Sequence, residues 1–568
     1  MNFIKLIILM LLLWSISLNA QNPNAIQQTY IDSLTSHWKK PNHPGGAMAI
    51  IQNGDIVLQK TVGKANVKTA KSITPQTPFQ LAQMSDSFIA FAILQLHYQK
   101  KISLEDNVSN YLPQLNKLSK ELKVKHLLQQ SSGVQDYEVL KNIVGWDDSS
   151  SFSIENALKL IASQSETCFA PGNEFSNSRS NMLLASQVIA KASQMEFADY
   201  METYVFLPLG MKNTFVLSTE NQTNEKLAIS YRIDETGTVM PIPSKKETYA
   251  SINISSSIED MTKWEMNLFS PSRETKAAAD HFKSYVTLDD GSQFNVPSGT
   301  LIYGQRNIHK ERGLETTMST GGIDGFASAV FNFPSKNFSV ITLSNNGEGY
   351  NGYIGMLSAH SLLAHAFKEP TSINFSKLKT IPLDKKYHKT YEGMYWDAVG
   401  ELSRELRIDN DTLRYVRPNG NKTALIPLSR DTFQMKTDFD DKIILTFSRD
   451  AKNNIQMEYF FREATPFKFV KYTPKIIPTE VLSSKYAGDY YCKTLGTGYS
   501  IQGENNGLVA SNVKTTSINL KPIYQEIFAG DTWYMGSIEF VLDATQEVKG
   551  FYVRNDAVRN LWFEKILK

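Results

Sequence analysis

Residues 79–115 read FQLAQMSDSFIAFAILQLHYQKKISLEDNVSNYLPQL, and this stretch decides the fold. From Met84 to Tyr98 the side chains are apolar on nearly every side. That pattern is typical of a helix buried within a large domain, because a surface helix would keep one polar face. The flanking sequence is therefore expected to supply the strands and helices that surround it.

Two hairpins are predicted on either side of this helix along the chain. The first joins a buried strand at Ala47–Ile51 to a partner strand at Ile56–Leu58 through an Asn-Gly-Asp turn. The second joins strands at Phe326–Phe333 and Phe338–Leu343, and a helix over Tyr353–Phe367 follows it. Helical and strand patterns alternate over this region, which predicts a domain that combines helices with a sheet.

Length and charge limit what the whole chain can be. With 568 residues and a prior of about 150 residues per domain, three or four domains are expected. The first is predicted over residues 21–368. The net charge is +2 and no long basic run occurs, so no nucleic-acid partner is predicted.

The N-terminus has the features of a signal peptide over residues 1–20. Lys5 precedes the apolar run Leu6–Leu13, and Ala20 supplies the small residue that a signal peptidase requires. An uncleaved anchor is the alternative, although the apolar run is short for a bilayer of roughly 30 Å. We therefore predict cleavage between Ala20 and Gln21, a periplasmic or secreted protein, and no transmembrane anchor after cleavage.

Cysteine and histidine usage argues against a disulfide framework and against a metal site. Cys168 and Cys492 fall in different predicted domains, so at most one bridge could form. The nine histidines lack ligand spacing; His360 and His365, for example, lie on different faces of a helix. No metal and no other cofactor is predicted.

An internal repeat occupies the C-terminal part of the chain, beyond a polar linker at residues 369–386. YEGMYWDAVGELSRELRIDNDTLRYV can be laid over YAGDYYCKTLGTGYSIQGENNGLVAS. Matching pairs include Tyr391 with Tyr486, Gly393 with Gly488, Tyr395 with Tyr490, Pro427 with Pro522, Phe433 with Phe528, Phe447 with Phe540 and Asp450 with Asp543. Short alternating strands in both copies predict two small antiparallel β-barrels, at residues 387–473 and 479–568.

Several ordered segments of the first domain resemble the serine β-lactamase and penicillin-binding-protein family. Besides residues 79–115, these segments are VKHLLQQSSGVQDY, FLPLGMKNTF, SSSIEDMTKW and STGGIDGFASAVFNFPSKNFSVITLSN. Together they cover most of residues 27–367, and the resemblance implies an α/β (α+β) β-lactamase/transpeptidase-like domain with a mainly antiparallel sheet. The two repeats resemble the small lipocalin-like β-domains often attached to these hydrolases, and a D-aminopeptidase type of the family also carries two such barrels.

The resemblance places the family's catalytic serine and lysine on residues that cannot replace them. In the family frame Phe-x-x-x-Ser-x-x-Lys-x-Phe, Phe79 and Phe88 match, but Gln83 stands at the serine and Asp86 at the lysine. An amide is not a nucleophile, and an anion replaces the amine that takes the proton. Ser85 points to nearly the opposite side of the helix and is interpreted as a core serine.

The family's other two catalytic elements are also changed. Asn177-Ser178-Arg179 stands at the Tyr-x-Asn element, and Ser319-Thr320-Gly321 stands where Lys-Thr-Gly or His-x-Gly is expected. The lysine-to-Asp86 and asparagine-to-Arg179 changes look like an exchanged charge pair, which predicts the two groups within about 4 Å. In the alternative, Arg179 points to solvent and Asp86 caps a backbone group.

A pocket is expected to survive these changes. The backbone N–H groups of Gln83 and Gly322 match the family's oxyanion-hole donors and do not depend on side chains. They could hold a carboxylate or a carbonyl, or larger polar side chains could have filled the cavity. The candidate ligand-binding residues are Gln83, Asp86, Asn177, Arg179, Ser319, Gly321 and Gly322, and none is expected to be catalytic.

These observations favour a non-catalytic binding or regulatory protein of the cell envelope, a pseudoenzyme, over an enzyme. The family likeness implies a small peptide or a cell-wall-derived fragment as the ligand. The main alternative is a family hydrolase (an esterase, peptidase or transferase) with unconventional catalytic residues, in which Asp86 acts as a general base on water. In a third, structural alternative the barrels bind a partner and the first domain is a platform.

Overall fold

The computed structural model describes residues 23–566, apart from short gaps. The gaps are residues 119, 147–151, 218–224, 235, 244–253, 294, 297–298, 348–350, 369–380, 382–384, 398–401, 418–420, 437–442, 462–465, 475–476, 515–516, 525 and 556. The predicted signal peptide and most of the predicted linker lie outside the described residues. The domain boundaries and the cleavage point therefore stay predictions.

An antiparallel sheet forms the framework of the first domain. The strands of this domain, β1 to β15 in chain order, span Gly46–Gln52, Asp55–Val62, Lys64–Asn66, Lys71–Ser72, Phe79–Gln80, Phe215–Val216, Tyr231–Ile233, Val239–Pro241, Ile254–Ser256, Asn295–Val296, Gly299–Ile302, Arg306–Glu311, Leu314–Ile323, Phe326–Phe333 and Phe338–Ser344. In the described residues, eight of them form one sheet in the order β10-β11-β12-β13-β14-β15-β1-β2. Both predicted hairpins, β1–β2 and β14–β15, lie in this sheet.

Helices cover the sheet and enclose the predicted central helix. Helices α1 to α12 span Ala25–Leu34, Ser85–Tyr98, Val124–Leu128, Tyr137–Ile143, Ile154–Ala162, Arg179–Ser193, Phe197–Met201, Ile258–Phe269, Lys276–Phe282, Asn351–Leu362, Lys385–Tyr391 and Thr479–Tyr486. Nearly all of α2 is buried, as its apolar surface predicted. The ring centroids of Phe88 and Phe91 on α2 lie 4.3 and 5.2 Å from that of Trp264 on α8. The predicted helix at Tyr353–Phe367 instead ends at Leu362 and continues as a turn.

Two closed eight-stranded barrels follow, which confirms the prediction from the repeat. The first consists of β16 to β23, at Gly393–Asp397, Leu402–Asp409, Thr412–Val416, Lys422–Pro427, Thr432–Met435, Ile443–Arg449, Ile455–Phe461 and Phe467–Tyr472. The second consists of β24 to β31, at Gly488–Cys492, Thr497–Glu504, Gly507–Ser511, Ile518–Tyr524, Ile527–Gly530, Ser537–Leu542, Val548–Asn555 and Val558–Ile566. Matched residues pair alike, since Pro427 faces Phe433 and Pro522 faces Phe528.

A short helix closes each barrel by the same contact. The hydroxyl of Tyr391, at the end of α11, donates a hydrogen bond to the carboxylate of Asp431. In the second barrel Tyr486, at the end of α12, donates to Glu526 in the same way. Both tyrosine rings are buried among the aromatic side chains of their barrels. The contact fixes each helix over its barrel, because a buried phenol needs a hydrogen-bond acceptor.

The second barrel docks on the first domain. Leu140 and Ile143 of α4 are wholly buried and share one apolar cluster with the interior of the second barrel. The Tyr499 hydroxyl donates to the Ile143 carbonyl at 2.9 Å, and the Asp136 N–H donates to the Ala557 carbonyl at 2.9 Å. Arg559 reaches Glu174 of the first domain at 2.8 Å. The sequence did not predict this contact.

Both cysteines are free, and the structure places them in different domains. Cys168 is buried at the docking contact, where its sulfur accepts from the Arg559 N–H at 3.3 Å. Cys492 lies in β24 of the second barrel. Across the described part of the chain, no helix is both long and apolar enough to cross a membrane.

Candidate functional site

One cavity of about 860 Å³ opens on the first domain beside the N-terminal end of α2. The structure brings all of the sequence-predicted candidates to its lining: Gln83, Asp86, Asn177, Arg179, Ser319, Gly321 and Gly322. They come from four parts of the chain, namely the turn before α2, α2 itself, the segment entering α6, and β13. These elements meet here because β13 lies against the turn that precedes α2.

The close approach of β13 to this turn depends on a glycine. A Cβ atom at Gly321 would lie 2.1 Å from the Leu81 carbonyl oxygen, far inside contact distance. Ala82, between Leu81 and Gln83, has a left-handed φ of +50°. A non-glycine residue rarely adopts that conformation unless its surroundings enforce it. The tight turn therefore holds Gln83 directly against β13.

The side chain of Gln83 hydrogen-bonds to the Gly322 N–H, a donor that the family resemblance had assigned to a ligand. Its amide oxygen Oε1 accepts from the Gly322 N–H at 3.0 Å. The family's oxyanion hole would present that N–H to a substrate carbonyl. At this donor the cavity is therefore filled by the chain's own amide, as one of the two sequence interpretations expected. A ligand that used the Gly322 N–H would first have to displace Gln83.

The predicted ion pair between Asp86 and Arg179 is wrong. Among the described residues, no ion pair joins these two groups, and the Arg179 guanidinium lies 3.9 Å from the carboxylate of Glu138. The Arg179 N–H also donates to Asp136 at 2.7 Å, which ties the start of α6 to the start of α4. Arg179 therefore contacts acidic residues at the start of α4 instead of Asp86. The spacing of residues in the sequence does not indicate Glu138 as its partner.

Asp86 is left with an unusual environment. One carboxylate oxygen, Oδ1, is buried and has no hydrogen-bond partner among the described residues. Burial raises the pKa of the Asp86 carboxyl well above its usual value, and the positive charge of Arg179 opposes this only in part. The environment thus favours the neutral carboxylic acid, because a buried carboxylate without a partner is costly. A close ion pair with Arg179 would instead have lowered this pKa.

Replacing Asp86 with asparagine is expected to stabilise the protein at neutral pH and to leave it unchanged at low pH. Below the pKa of the unfolded chain both states hold the proton, so no difference arises. Above it the unfolded chain releases the proton while the folded chain keeps it. Asp86 therefore costs about 1.4 kcal/mol of unfolding free energy for each pH unit between the two pKa values. Urea unfolding of both proteins between pH 3 and pH 8 measures this.

The exposed Asp55, the first residue of β2, provides the control. Asp55→Asn should change stability by about 0.5 kcal/mol or less at every pH. If Asp86→Asn followed the wild-type pH profile in parallel, the raised pKa would be excluded.

A network of amide side chains lies behind the predicted residues. The Gln130 oxygen accepts from the Ser178 N–H at 3.1 Å and from the Asn181 amide at 2.5 Å. The Gln130 amide donates to Gln305 at 3.2 Å. Gln130 and Gln305 both line the cavity, as does Asn307 on β12. Gln130 lies in a family-like segment, which was a usable signal, but nothing in the sequence around residues 305–307 marked them.

The outer wall of the cavity comes from the second barrel. Trp533, Asn555 and Ala557 line it together with Phe175 of the first domain. No sequence feature placed barrel residues at the site, because they lie several hundred residues from Gln83 along the chain. In the described part of the chain, no cluster of three or more histidine, cysteine, aspartate or glutamate residues could hold a metal ion.

Comparisons with known proteins find several similar chains. The family model described as "Beta-lactamase" matches residues 31–356. Penicillin-binding protein 4* of Bacillus subtilis is 23% identical over 446 residues, which are 76% of this chain and 95% of that protein. A D-aminopeptidase of Gluconobacter oxydans is 26% identical over 303 residues, 53% of this chain and 56% of that protein. The chain thus matches little more than half the length of that D-aminopeptidase.

Among solved structures, the chain is similar to the octameric penicillin-binding protein homologue from Pyrococcus abyssi. The TM-score is 0.53 at 21% sequence identity, and the match covers 78% of this chain and 99% of that one. At this identity the likeness shows a shared fold, and it carries nothing about ligands or assembly.

Proposed function

Because the chain belongs to the beta-lactamase family, whose pattern matches residues 31–356, we propose that it is a non-catalytic, ligand-binding member of that family. One observation carries the proposal most directly. The residue at the nucleophile position, Gln83, uses its amide to satisfy the Gly322 N–H at 3.0 Å. A family enzyme would need a nucleophile at this position and a free Gly322 N–H for its substrate. Here Gln83 replaces the nucleophile, and its amide oxygen occupies the hydrogen bond from that N–H.

The proton-transfer groups support the same conclusion. Burial raises the pKa of Asp86, which stands at the lysine position. A protonated carboxyl cannot accept the proton of a nucleophile. Asn177 and Ser319 line the cavity at the other two catalytic positions and are not bases. The cavity itself remains open and polar, so binding is the function that the lining residues can still perform.

The proposed setting is the cell envelope. Residues 1–20 have the pattern of a signal peptide, and relatives include penicillin-binding protein 4*. The ligand class we propose is a small peptide or a cell-wall-derived fragment. N-terminal sequencing of the exported protein should begin at Gln21, and a mature chain that retained Met1 would contradict export with cleavage.

A hydrolase with altered chemistry is the second candidate, and one observation favours it. A carboxyl group with a raised pKa in a cavity is what general acid–base catalysis uses, since such a group can exchange protons near neutral pH. In this scheme Asp86 would activate a water molecule. The weakness is that Asp86 faces no free oxyanion donor at Gly322 while Gln83 remains hydrogen-bonded there.

A labelling experiment separates the two candidates. The purified full chain is offered a fluorescent penicillin and a series of p-nitrophenyl esters, with Asp86→Asn as the matched variant. The non-catalytic proposal expects no label that survives denaturation and no ester turnover above that of Asp86→Asn. Turnover that is lost in Asp86→Asn would establish the hydrolase. Saturable thermal stabilisation by cell-wall fragments without turnover would support binding.

Restoring the serine alone should not restore activity. In Gln83→Ser the new hydroxyl would have Asp86 in place of the family's lysine, and the Asn177 and Ser319 positions would still lack their partner groups. A serine is a weak nucleophile until a base removes its proton. Single-turnover acylation by a reactive ester should stay within about threefold of the Gln83→Ala control, which opens the same space without a hydroxyl. Rapid acylation of Gln83→Ser would show that Asp86 is a competent base.

A further inference from the structure

The second barrel presents an aromatic ring to the cavity. Trp533 lies between β28 and β29, lines the cavity and has 59% of its surface exposed. Its ring makes an edge contact with Tyr534, at 5.9 Å between centroids. A large exposed aromatic side chain at the mouth of a polar cavity is unusual on a surface unless it meets a partner. The indole face is therefore available to a ligand in the cavity.

The backbone next to Trp533 is held by a hydrogen bond from Asn555. The amide group of Asn555 donates to the Tyr534 carbonyl at 3.2 Å, and its oxygen accepts from the N–H groups of Ala557 and Val558 at 2.9 and 2.7 Å. Ala557 in turn accepts from the Asp136 N–H of the first domain. Asn555 thus ties the Trp533 loop to the docking contact. The barrel wall is preorganised before any ligand arrives.

The lining offers polar groups with little net charge. The Asp136 carboxylate already accepts from the N–H groups of Glu138, Val139 and Arg179. Arg179 is the one cation among the described lining residues, and it lies beside Glu138. The other polar lining is largely amide: Gln83, Gln130, Asn177, Gln305, Asn307 and Asn555. Gln130, Gln305 and Asn555 already hydrogen-bond within the protein. The exposed Asn177 and the amide nitrogen of Gln83 also line the cavity, and amides of this kind suit hydroxyl and amide groups on a ligand.

A charged ligand fits this cavity poorly. A carboxylate or phosphate would meet one cation, Arg179, in a lining that also holds the carboxyl groups of Asp86 and Asp136, so the charge of the lining does not favour an anion. A saccharide presents hydroxyl groups at its edge and C–H groups on its face. The hydroxyls match amide side chains, and the C–H face matches the electron-rich face of an indole ring.

We propose that the second barrel completes the binding site and that the composite cavity takes an uncharged saccharide chain, with one sugar ring stacked on Trp533. This inference rests on the proposed non-catalytic binding function and names its ligand class. Trp533 supplies the stacking face, and the amide side chains of the first domain hold the hydroxyl or N-acetyl groups. Among the described residues, none of the first barrel lines this cavity.

Calorimetric titration of the full chain tests the proposal. The probes are a neutral tetramer of N-acetylglucosamine and, as the competing class, a doubly acetylated Lys-D-Ala-D-Ala peptide. We expect saturable binding of the tetramer and at least about tenfold weaker binding by Trp533→Ala. Trp533→Phe keeps an aromatic face and should lie within about threefold of wild type. Tyr491→Ala removes an exposed ring of the same barrel that is not in the cavity lining, and it should bind like wild type.

The possible outcomes distinguish an error in the ligand class from an error in the proposed binding function. Failure of the tetramer to bind at about 10 mM overturns the saccharide proposal. Equal weakening by Trp533→Ala and Tyr491→Ala overturns the stacking role of Trp533. Saturable peptide binding without turnover would replace the saccharide while leaving the binding function intact. Covalent labelling by the fluorescent penicillin would overturn the binding function itself, whichever probe binds.

Discussion

Replacing Leu140 with alanine is expected to cost about 2–5 kcal/mol of unfolding free energy and to loosen the second barrel from the first domain. Leu140 is wholly buried, and its side chain lies within the apolar cluster of the second barrel although it belongs to α4. The substitution would leave a void between the domains, because neither side can collapse fully into it. Differential scanning calorimetry should show a new, earlier transition for the second barrel.

Leu207→Ala is the matched control, since the same side chain is removed from a position that is 55% exposed. Its effect should not exceed about 0.5 kcal/mol. If the two variants unfolded alike, the docking contact would not be maintained in solution. The composite cavity would then lose its outer wall, and the saccharide proposal would lose its basis.

Replacing Glu265 with alanine should destabilise the first domain by about 3–5 kcal/mol. Glu265 on α8 is fully buried and binds Arg306 of β12 through two hydrogen bonds, of 2.6 and 3.0 Å. Asn332 donates a further bond to the same carboxylate at 3.1 Å. Removing the carboxylate would leave the Arg306 guanidinium buried without its partner. Because Arg306 lies between the cavity residues Gln305 and Asn307, ligand affinity should fall as well. Urea unfolding and titration measure the two effects.

A second variant distinguishes a buried charge from lost packing. Glu265→Leu combined with Arg306→Met should be more stable than Glu265→Ala alone, because no charge is then left unpaired. The exposed pair of Glu155 and Lys159, 2.8 Å apart, is the surface control. Glu155→Ala should cost no more than about 1 kcal/mol. A double variant no more stable than Glu265→Ala would show that the ion pair is not the main contribution.

The fold was largely accessible from sequence, because patterns of apolar residues determine which segments are buried. The nearly apolar surface of residues 84–98 predicted a surrounding domain. The equal spacing of Tyr391 from Phe433 and of Tyr486 from Phe528 predicted two similar barrels. The family-like segments then located the cavity, since they brought Gln83, Asn177 and Ser319 to one place before any contact was known.

The hydrogen-bond and ion-pair partners of individual side chains were harder to predict from the sequence, because they depend on side-chain torsion angles and on contacts between distant segments. The sequence does not indicate Glu138 as a partner of Arg179, because no periodic pattern of residues reveals how α4 packs beside α6. The bond from Gly322 to Gln83 depends on the tight turn at Ala82. The position of Trp533 at the cavity could not be predicted. The sequence indicates two separate barrel domains, and nothing in it indicates that one of them packs against the first domain.

The shared closure of the two barrels bears on how this chain arose. Tyr391 with Asp431 and Tyr486 with Glu526 span the same number of residues, 40 in each case, and join the same pair of groups. Such agreement is what a tandem duplication of one ancestral barrel leaves behind, while the change from aspartate to glutamate records later divergence. The closing contact is present in both copies, whereas in the part of the chain that the structure describes, Trp533 and the contact with α4 belong to the second copy. The two barrels are thus alike in how they close and differ in the surface that each presents to the rest of the chain.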